Sequence, residues 1–204
     1  MANVTKVNVP LSRYENLTLT PSPVRLWDNG KVFWLIGVEM IPLRVLTLVV
    51  PGQGQPAVLV LEPSDDKGLT EARIIPIWIG THEAAALGIA LEQVKLPRPA
   101  THDLLLDAIT NLDATIDHAV ITDMRGQTFH ANLVLKQGDR TITLDARPTD
   151  AISLAIRQGA PFYMEDSLME KASYPYVFKE ARDEETEFEE FRQFLDGIAP
   201  EDFK

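Results

Sequence analysis

The chain has 204 residues, 45% hydrophobic and 24% charged, enough for one globular domain with appendages or two small domains. It contains no cysteine, which excludes disulfides and thiolate metal sites and makes a reducing cytoplasm the default compartment. The net charge of −11 divides as +1 over residues 1–39, −6 over 40–178 and −6 over 179–204, which works against nonspecific nucleic-acid binding; no apolar run reaches the length of a membrane span.

Residues 1–39 read as a partly irregular N-terminal extension, with turn formers at Pro10, Pro21, Pro23 and Asp28-Asn29-Gly30. The domain pattern covers residues 40–178 and begins at Met40, itself a candidate alternative start. Strands follow at 43–50, 57–62 and 73–79. Gly80 ends the third, and Thr81 caps a helix to residue 94 whose Ala84, Ala85, Ala86, Gly88 and Ala90 allow close approach of another element. Pro97-Arg98-Pro99 breaks the chain, and Thr101 caps a second helix to residue 112. Strands 115–124, 127–136 and 140–146 form a meander joined by Arg125-Gly126 and Gln137-Gly138-Asp139, which is tight-hairpin chemistry. A helix at 149–157, a short strand at 161–164 and a brief helix from Asp166 complete the pattern. Strand pairs interrupted by helices predict an α+β fold: a mainly antiparallel sheet with hairpins and a three-strand meander, packed against three or four helices. In the acidic tail, 179–204, Phe188, Phe191, Leu195 and Ile198 fall at helical spacing. With Glu rather than Lys or Arg on the polar face, that short amphipathic helix suits docking on the domain or a partner chain, not a membrane.

Residues 75–86, leading to 96–105, and residues 144–155 each run from a strand or loop into a helix and load the junction with Arg, His and carboxylates. A helix start gathers unpaired N–H groups and a positive dipole end, so two such starts fit a metal ion, a phosphate, or both. On the 101–112 helix, Leu104, Leu105, Ala108, Ile109 and Leu112 share one side, expected to face the core. Asp103 and Asp107 lie opposite, with His102 at the flank. On strand 140–146, Thr141, Thr143 and Asp145 share one face and Ile142, Leu144 and Ala146 the other, with Arg147 on the side of Asp145. The next helix has Ala151, Ile152, Ala155 and Ile156 as its buried face and Asp150, Ser153 and Arg157 as its polar one. Asp145, Arg147 and Asp150 are therefore expected to converge. A plain structural account stands beside this one. Glu83, next to His82, and Asp103 compensate helix dipoles, Asp107 is a solvated surface charge, and an Arg–Asp network holds the strand-to-helix corner.

Carboxylate oxygens suit Mg2+, Mn2+ or Ca2+, and a histidine among them widens the choice towards Zn2+. Neither a compact metal motif nor a glycine-rich phosphate loop is present, and a Gly-x-Ser-x-Gly elbow is also missing. For a hydrolase, metal-activated water attacking a phosphodiester, with Arg steadying the phosphate, is the best chemical fit.

Three stretches, Pro76-Ile-Trp-Ile-Gly-x-x-Glu-Ala, Pro97-Arg-Pro-x-Thr-His-Asp-Leu and Asp145-Ala-Arg-Pro-Thr-Asp-Ala-Ile-x-Leu-Ala, stand in this order and spacing. In them the chain resembles the bifunctional nuclease domain family over roughly residues 40–170. The ending Phe191-Arg-Gln-Phe-Leu-Asp-Gly-Ile-Ala-Pro-Glu-Asp-Phe is similar to that of actinobacterial members. Thr149 stands where many relatives have Ser, and both cap a helix. The resemblance implies an α+β domain, a homodimer, and the deoxyribonuclease and ribonuclease activity reported for plant relatives.

From these motif positions the leading expectation is a divalent-metal-dependent nuclease acting on DNA or RNA. His102, Asp103, Asp145 and Asp150 are its catalytic candidates, with Asp103, Asp145, Asp150 and Glu83 as metal ligands and Arg98 and Arg147 holding phosphate. The alternative is a non-enzymatic homodimeric binding or regulatory protein, dimerising through the small-residue helix, whose Arg–Asp clusters are structural or bind a small anion. Hydrolysis of a small phosphorylated metabolite is a third possibility, better suited to the acidic surface.

Overall fold

Residues 5–8, 25–28, 31–34, 40–50, 56–64 and 72–176 are described in this computed structural model. Their strands and helices, in chain order, are β1 (Thr5–Asn8), β2 (Arg25–Asp28), β3 (Lys31–Trp34), β4 (Met40–Val50), β5 (Ala57–Pro63), β6 (Arg73–Ile79), α1 (Thr81–Leu91) and α2 (Thr101–Asn111). There follow β7 (Thr115–Arg125), β8 (Thr128–Gln137), β9 (Arg140–Ala146), α3 (Pro148–Gln158), β10 (Phe162–Glu165), α4 (Asp166–Ala172) and β11 (Tyr174–Pro175). The expected tail helix lies outside the described residues.

The main sheet has the order β11-β6-β5-β4-β10-β7-β8-β9, with β1 also paired to β4, while among the described residues β2 and β3 pair with each other. A strand of the extension thus belongs to the sheet. Every pairing is antiparallel except β10 with β7, and the α+β arrangement read from the sequence is the one found. The apolar strand β10 joins the two halves; its Phe162, Tyr163 and Met164 are all buried, as a strand covered on both faces requires. Gly126 and Gly138 open the two-residue hairpin loops with φ of 61° and 56°, a left-handed start that suits a II′ turn and that glycine adopts without strain.

One face of the sheet carries α1 over β4 and β5, and α3 over β7 and β8. Leu59, Leu61, Ile75, Leu87, Ile121 and Ile152 fill the space between, fully buried. Val49, Val58, Val60 and Ile74 form a second, smaller cluster with Leu46, Trp78, Tyr174 and Tyr176. Helix α1 packs on α3 as well as on β4 and β5, burying Ala84, Leu87, Ala90 and Leu91, while Ala85 stays exposed.

Helix α2 departs from its expected orientation. Of the five residues predicted for the core, only Ile109 is buried; Leu104, Leu105 and Leu112 are 63%, 45% and 66% exposed, and Ala108 is exposed too. α2 packs on α3, and two polar links to that helix, His102 to Asp150 and Asp103 to Arg157, hold its charged edge inward. The caps differ as well. The N-caps are Gly80, Ala100 and Arg147, none with a side-chain cap bond, so Thr81, Thr101 and Thr149 lie inside the first turns.

Candidate functional site

The three helices start alike: Thr-His-Glu in α1, Thr-His-Asp in α2 and Pro-Thr-Asp in α3. With these N-caps the acids Glu83, Asp103 and Asp150 each occupy the third helical position, where a carboxylate meets free N–H groups and the positive dipole end. Asp103 Oδ2 accepts the Ala100 N–H at 2.9 Å, closing the first turn in place of a side-chain cap. Pro148 at the first position of α3 has its φ preset for a helix and gives up only an N–H that would be unpaired there. Gly80 leaves room for the Glu83 carboxylate to fold back over the helix start; a Cβ there would collide with it.

Tertiary packing then joins these starts. His102 Nε2 lies 3.0 Å from Asp150 Oδ1, and Arg147 Nε donates to Asp150 Oδ2 at 2.7 Å. Arg147 Nη1 reaches Glu83 Oε1 at 2.5 Å. Glu83, Arg147, Asp150 and His102 therefore form one continuous chain across α1, α3 and α2. Arg147 remains 65% exposed and presents its guanidinium to solvent. His102, by contrast, is mostly enclosed at 16% exposure.

Burial on its own would push the Asp150 carboxyl up, but hydrogen bonds from Arg147 and His102 outweigh it and hold the group below its ordinary value. Arg147 is correspondingly held above its ordinary value, first by its hydrogen bond to Asp150. Because Asp150 is ionised near neutral pH and can only accept, His102 Nε2 must carry the proton of their shared bond. In that tautomer the ring's lone pair is on Nδ1.

Asp103, expected in the same site, belongs to an adjoining structure. Its Oδ1 accepts Arg157 Nε at 2.7 Å, and this guanidinium, followed by the Ala100 N–H, lowers the Asp103 carboxyl below its ordinary value. Arg157 also donates to Ser153 O and Ala86 O at 3.1 and 3.2 Å, and its side chain is only 8% exposed. One buried guanidinium thus ties α1, α2 and α3 together. The sequence placed Arg157 on the polar face of α3 with no role; its seven-residue spacing from Asp150 puts both on one helix side, and that was the available signal.

Asp145 does not join the network. It pairs in register with Asn132, between core-facing Ala131 and Leu133, so strand alternation sends it to the face away from the helices. It is exposed and has no ion pair or side-chain hydrogen bond among the described residues. The chain turns at Arg147 to enter α3, which separates Arg147 from the side of Asp145. Arg98 is exposed before α2, also without such a partner among the described residues. His82 is exposed at the start of α1.

The donor set was also expected to hold a divalent cation. Among the described residues, no three His, Asp or Glu side chains gather closely enough to hold one ion. Both oxygens of Asp150 and of Asp103 already accept bonds. The arrangement does not fit a metal centre built from this subunit's described side chains alone.

Compared with known proteins, residues 64–176 match the family model for the bifunctional nuclease domain, a span that includes every residue of both networks. The chain is 38% identical over 159 residues to an uncharacterized protein of Mycobacterium tuberculosis, covering 74% of this chain and 90% of that one. It is 26% identical over 115 residues to Bifunctional nuclease 2 of Arabidopsis thaliana, covering 55% of this chain and 34% of that one. Bifunctional nuclease 1 of Oryza sativa subsp. japonica is 26% identical over 106 residues, 50% of this chain and 31% of its own length. The chain therefore spans only about a third of these plant proteins.

Proposed function

The chain belongs to the bifunctional nuclease domain family, and on that premise we propose that it hydrolyses phosphodiester bonds of DNA or RNA where α1, α2 and α3 begin. The observation that carries this reading is the connected trio His102–Asp150–Arg147. Asp150 fixes the tautomer and direction of the His102 ring, whose Nδ1 takes the proton from an attacking water. Oxygen attacks phosphorus, the P–O bond to the leaving strand breaks, and the imidazolium returns the proton to the leaving oxygen. Arg147, held at Nε and Nη1, keeps N–H groups for the phosphate and offsets charge on its oxygens.

The acidic chain supplies no broad basic track, so substrate must be held locally, by Arg147 and exposed Arg98. No step here runs through a metal ion, because the candidate ligands do not gather. We also propose a homodimer, as the family resemblance implies, in a reducing cytoplasm that the cysteine-free chain suits. No helix among the described residues is long and apolar enough to cross a membrane.

One fact favours a binding or regulatory reading: each carboxylate of Asp150 and Asp103 has its own cation, as a structural corner would. Labelled single-stranded DNA and RNA, incubated with purified wild type and with the Asp150→Asn variant, distinguish the two. The nuclease reading expects cleavage that the variant loses; binding of the same strands without any cleavage supports the alternative.

A further inference from the structure

Glu83 puts a second carboxylate on the guanidinium of Arg147. Its Oε1 accepts Arg147 Nη1 at 2.5 Å, and its side chain is only 22% exposed. The other oxygen folds back over Gly80, where an added Cβ would lie 2.3 Å from Oε2. Gly80 itself has φ −73° and ψ 163°, extended backbone that any residue adopts. What a side chain there would disturb is therefore the Glu83 carboxylate and not the chain path.

Asp150 takes the Nε hydrogen of Arg147 and Glu83 takes one on Nη1. The second Nη1 hydrogen and the Nη2 pair stay free among the described residues, a fork that matches two oxygens on one phosphorus. The charge behind that fork is already outnumbered, with two carboxylates against one guanidinium. An internucleotide phosphate carries a single negative charge, whereas a phosphomonoester carries nearly two at neutral pH. Attraction to a site grows in proportion to the ligand's charge, but the cost of stripping its water grows as the square. A compensated guanidinium offers little net attraction to offset that larger cost.

We propose that Glu83 is a specificity-determining residue: by sharing Arg147 with Asp150, it admits the singly charged phosphodiester and disfavours the doubly charged phosphomonoester. The inference rests on the phosphate site proposed above and names what that site selects. It also sets the small phosphorylated metabolite, whose phosphate is a monoester, below the polynucleotide as a substrate.

Thymidine monophosphate and its methyl phosphodiester share one nucleoside and differ only in phosphate charge, so they serve as probes in NMR titrations of the full-length protein. At about pH 7.5 the wild type should bind the diester more tightly. Glu83→Gln keeps an oxygen for Arg147 but removes the charge, and should shift the preference about 10-fold towards the monoester. Asp139→Asn removes the same charge from the exposed β8–β9 hairpin and should leave the preference as it was. An unchanged preference in Glu83→Gln, or an equal shift in Asp139→Asn, overturns Glu83 as the selector. Strand cleavage that Asp150→Asn abolishes would then leave the nuclease reading standing. A shift confined to Glu83→Gln, with no strand cleavage by the wild type, supports the selector and overturns the nuclease. A wild type that binds neither probe overturns both.

Discussion

His102 and Asp150 stand 48 residues apart in the chain, yet Nε2 of one and Oδ1 of the other are 3.0 Å apart. The bond joins the first turn of α2 to the first turn of α3, and Arg147 approaches the same carboxylate from its other oxygen. On the proposed reading, this histidine, set by an ionised acid beside an exposed guanidinium, would serve as the acid–base group with an anion anchor next to it.

Arg147 should act mainly on substrate binding. Arg147→Gln removes a charge-assisted contact of about 1.5–3 kcal/mol, so KM for a labelled oligonucleotide should rise roughly 10-fold to 100-fold. Arg147→Lys should restore little, because an ammonium cannot hold Asp150 and Glu83 together as the guanidinium fork does. An unchanged KM in both variants would remove Arg147 from the site.

Arg157 should act on stability. Arg157→Met keeps much of the volume but strips donors from Asp103, Ser153 O and Ala86 O. Losing one partner of a mostly buried pair costs about 3–5 kcal/mol, and the partial exposure of Asp103 brings the expectation to about 2–3 kcal/mol. Urea unfolding measures this, and a loss below about 0.5 kcal/mol would mean that the three helices hold together without the clamp.

Acid should unfold the protein through the same carboxylates. Asp103 and Asp150 lie below their ordinary value of 3.8 when folded, so their stabilisation is fully present above that value. It is lost as pH falls below it, through the lower folded values. The urea midpoint should hold steady down to about pH 5 and then fall, and Asp150→Asn should make that fall shallower. An identical slope in the variant would contradict the cause assigned to the shift.

Divalent cations give a separate check. With no three ligands gathered among the described residues, Mg2+ or Mn2+ in the absence of nucleic acid should leave the melting temperature unchanged. A rise of several degrees in Mn2+, abolished by Asp103→Asn or Glu83→Gln, would show that the carboxylates do assemble around an ion.

Much of the fold was legible because its signals are local. Period-two strands, Gly126 and Gly138 in the hairpins, and the Pro97–Pro99 break fixed β4 to β9 and the helix starts to within a few residues. The orientation of α2 was not legible. Its leucine stripe has the period of a core face, yet the helix turns its charged edge to α3, and periodicity alone does not say which edge a neighbour takes. Asp145 shows the same limit. Strand alternation correctly separated it from Leu144, yet the turn at Arg147 carries the chain away from that face, and only register with β8 reveals it. Arg157 lies on the polar side that the sequence does show, but that side faces α1 and α2, and only their packing gives it partners.

The most direct measurement is the single-turnover cleavage rate of a labelled single strand by wild type, His102→Gln, Asp150→Asn, their double variant and Asp145→Asn. Each single change at His102 or Asp150 should slow cleavage about 100-fold to 10,000-fold, and the double variant should be no slower than the worse single one, because the pair acts as a unit. Asp145→Asn should cleave like wild type. Full activity in His102→Gln, or loss of activity in Asp145→Asn alone, would contradict the account.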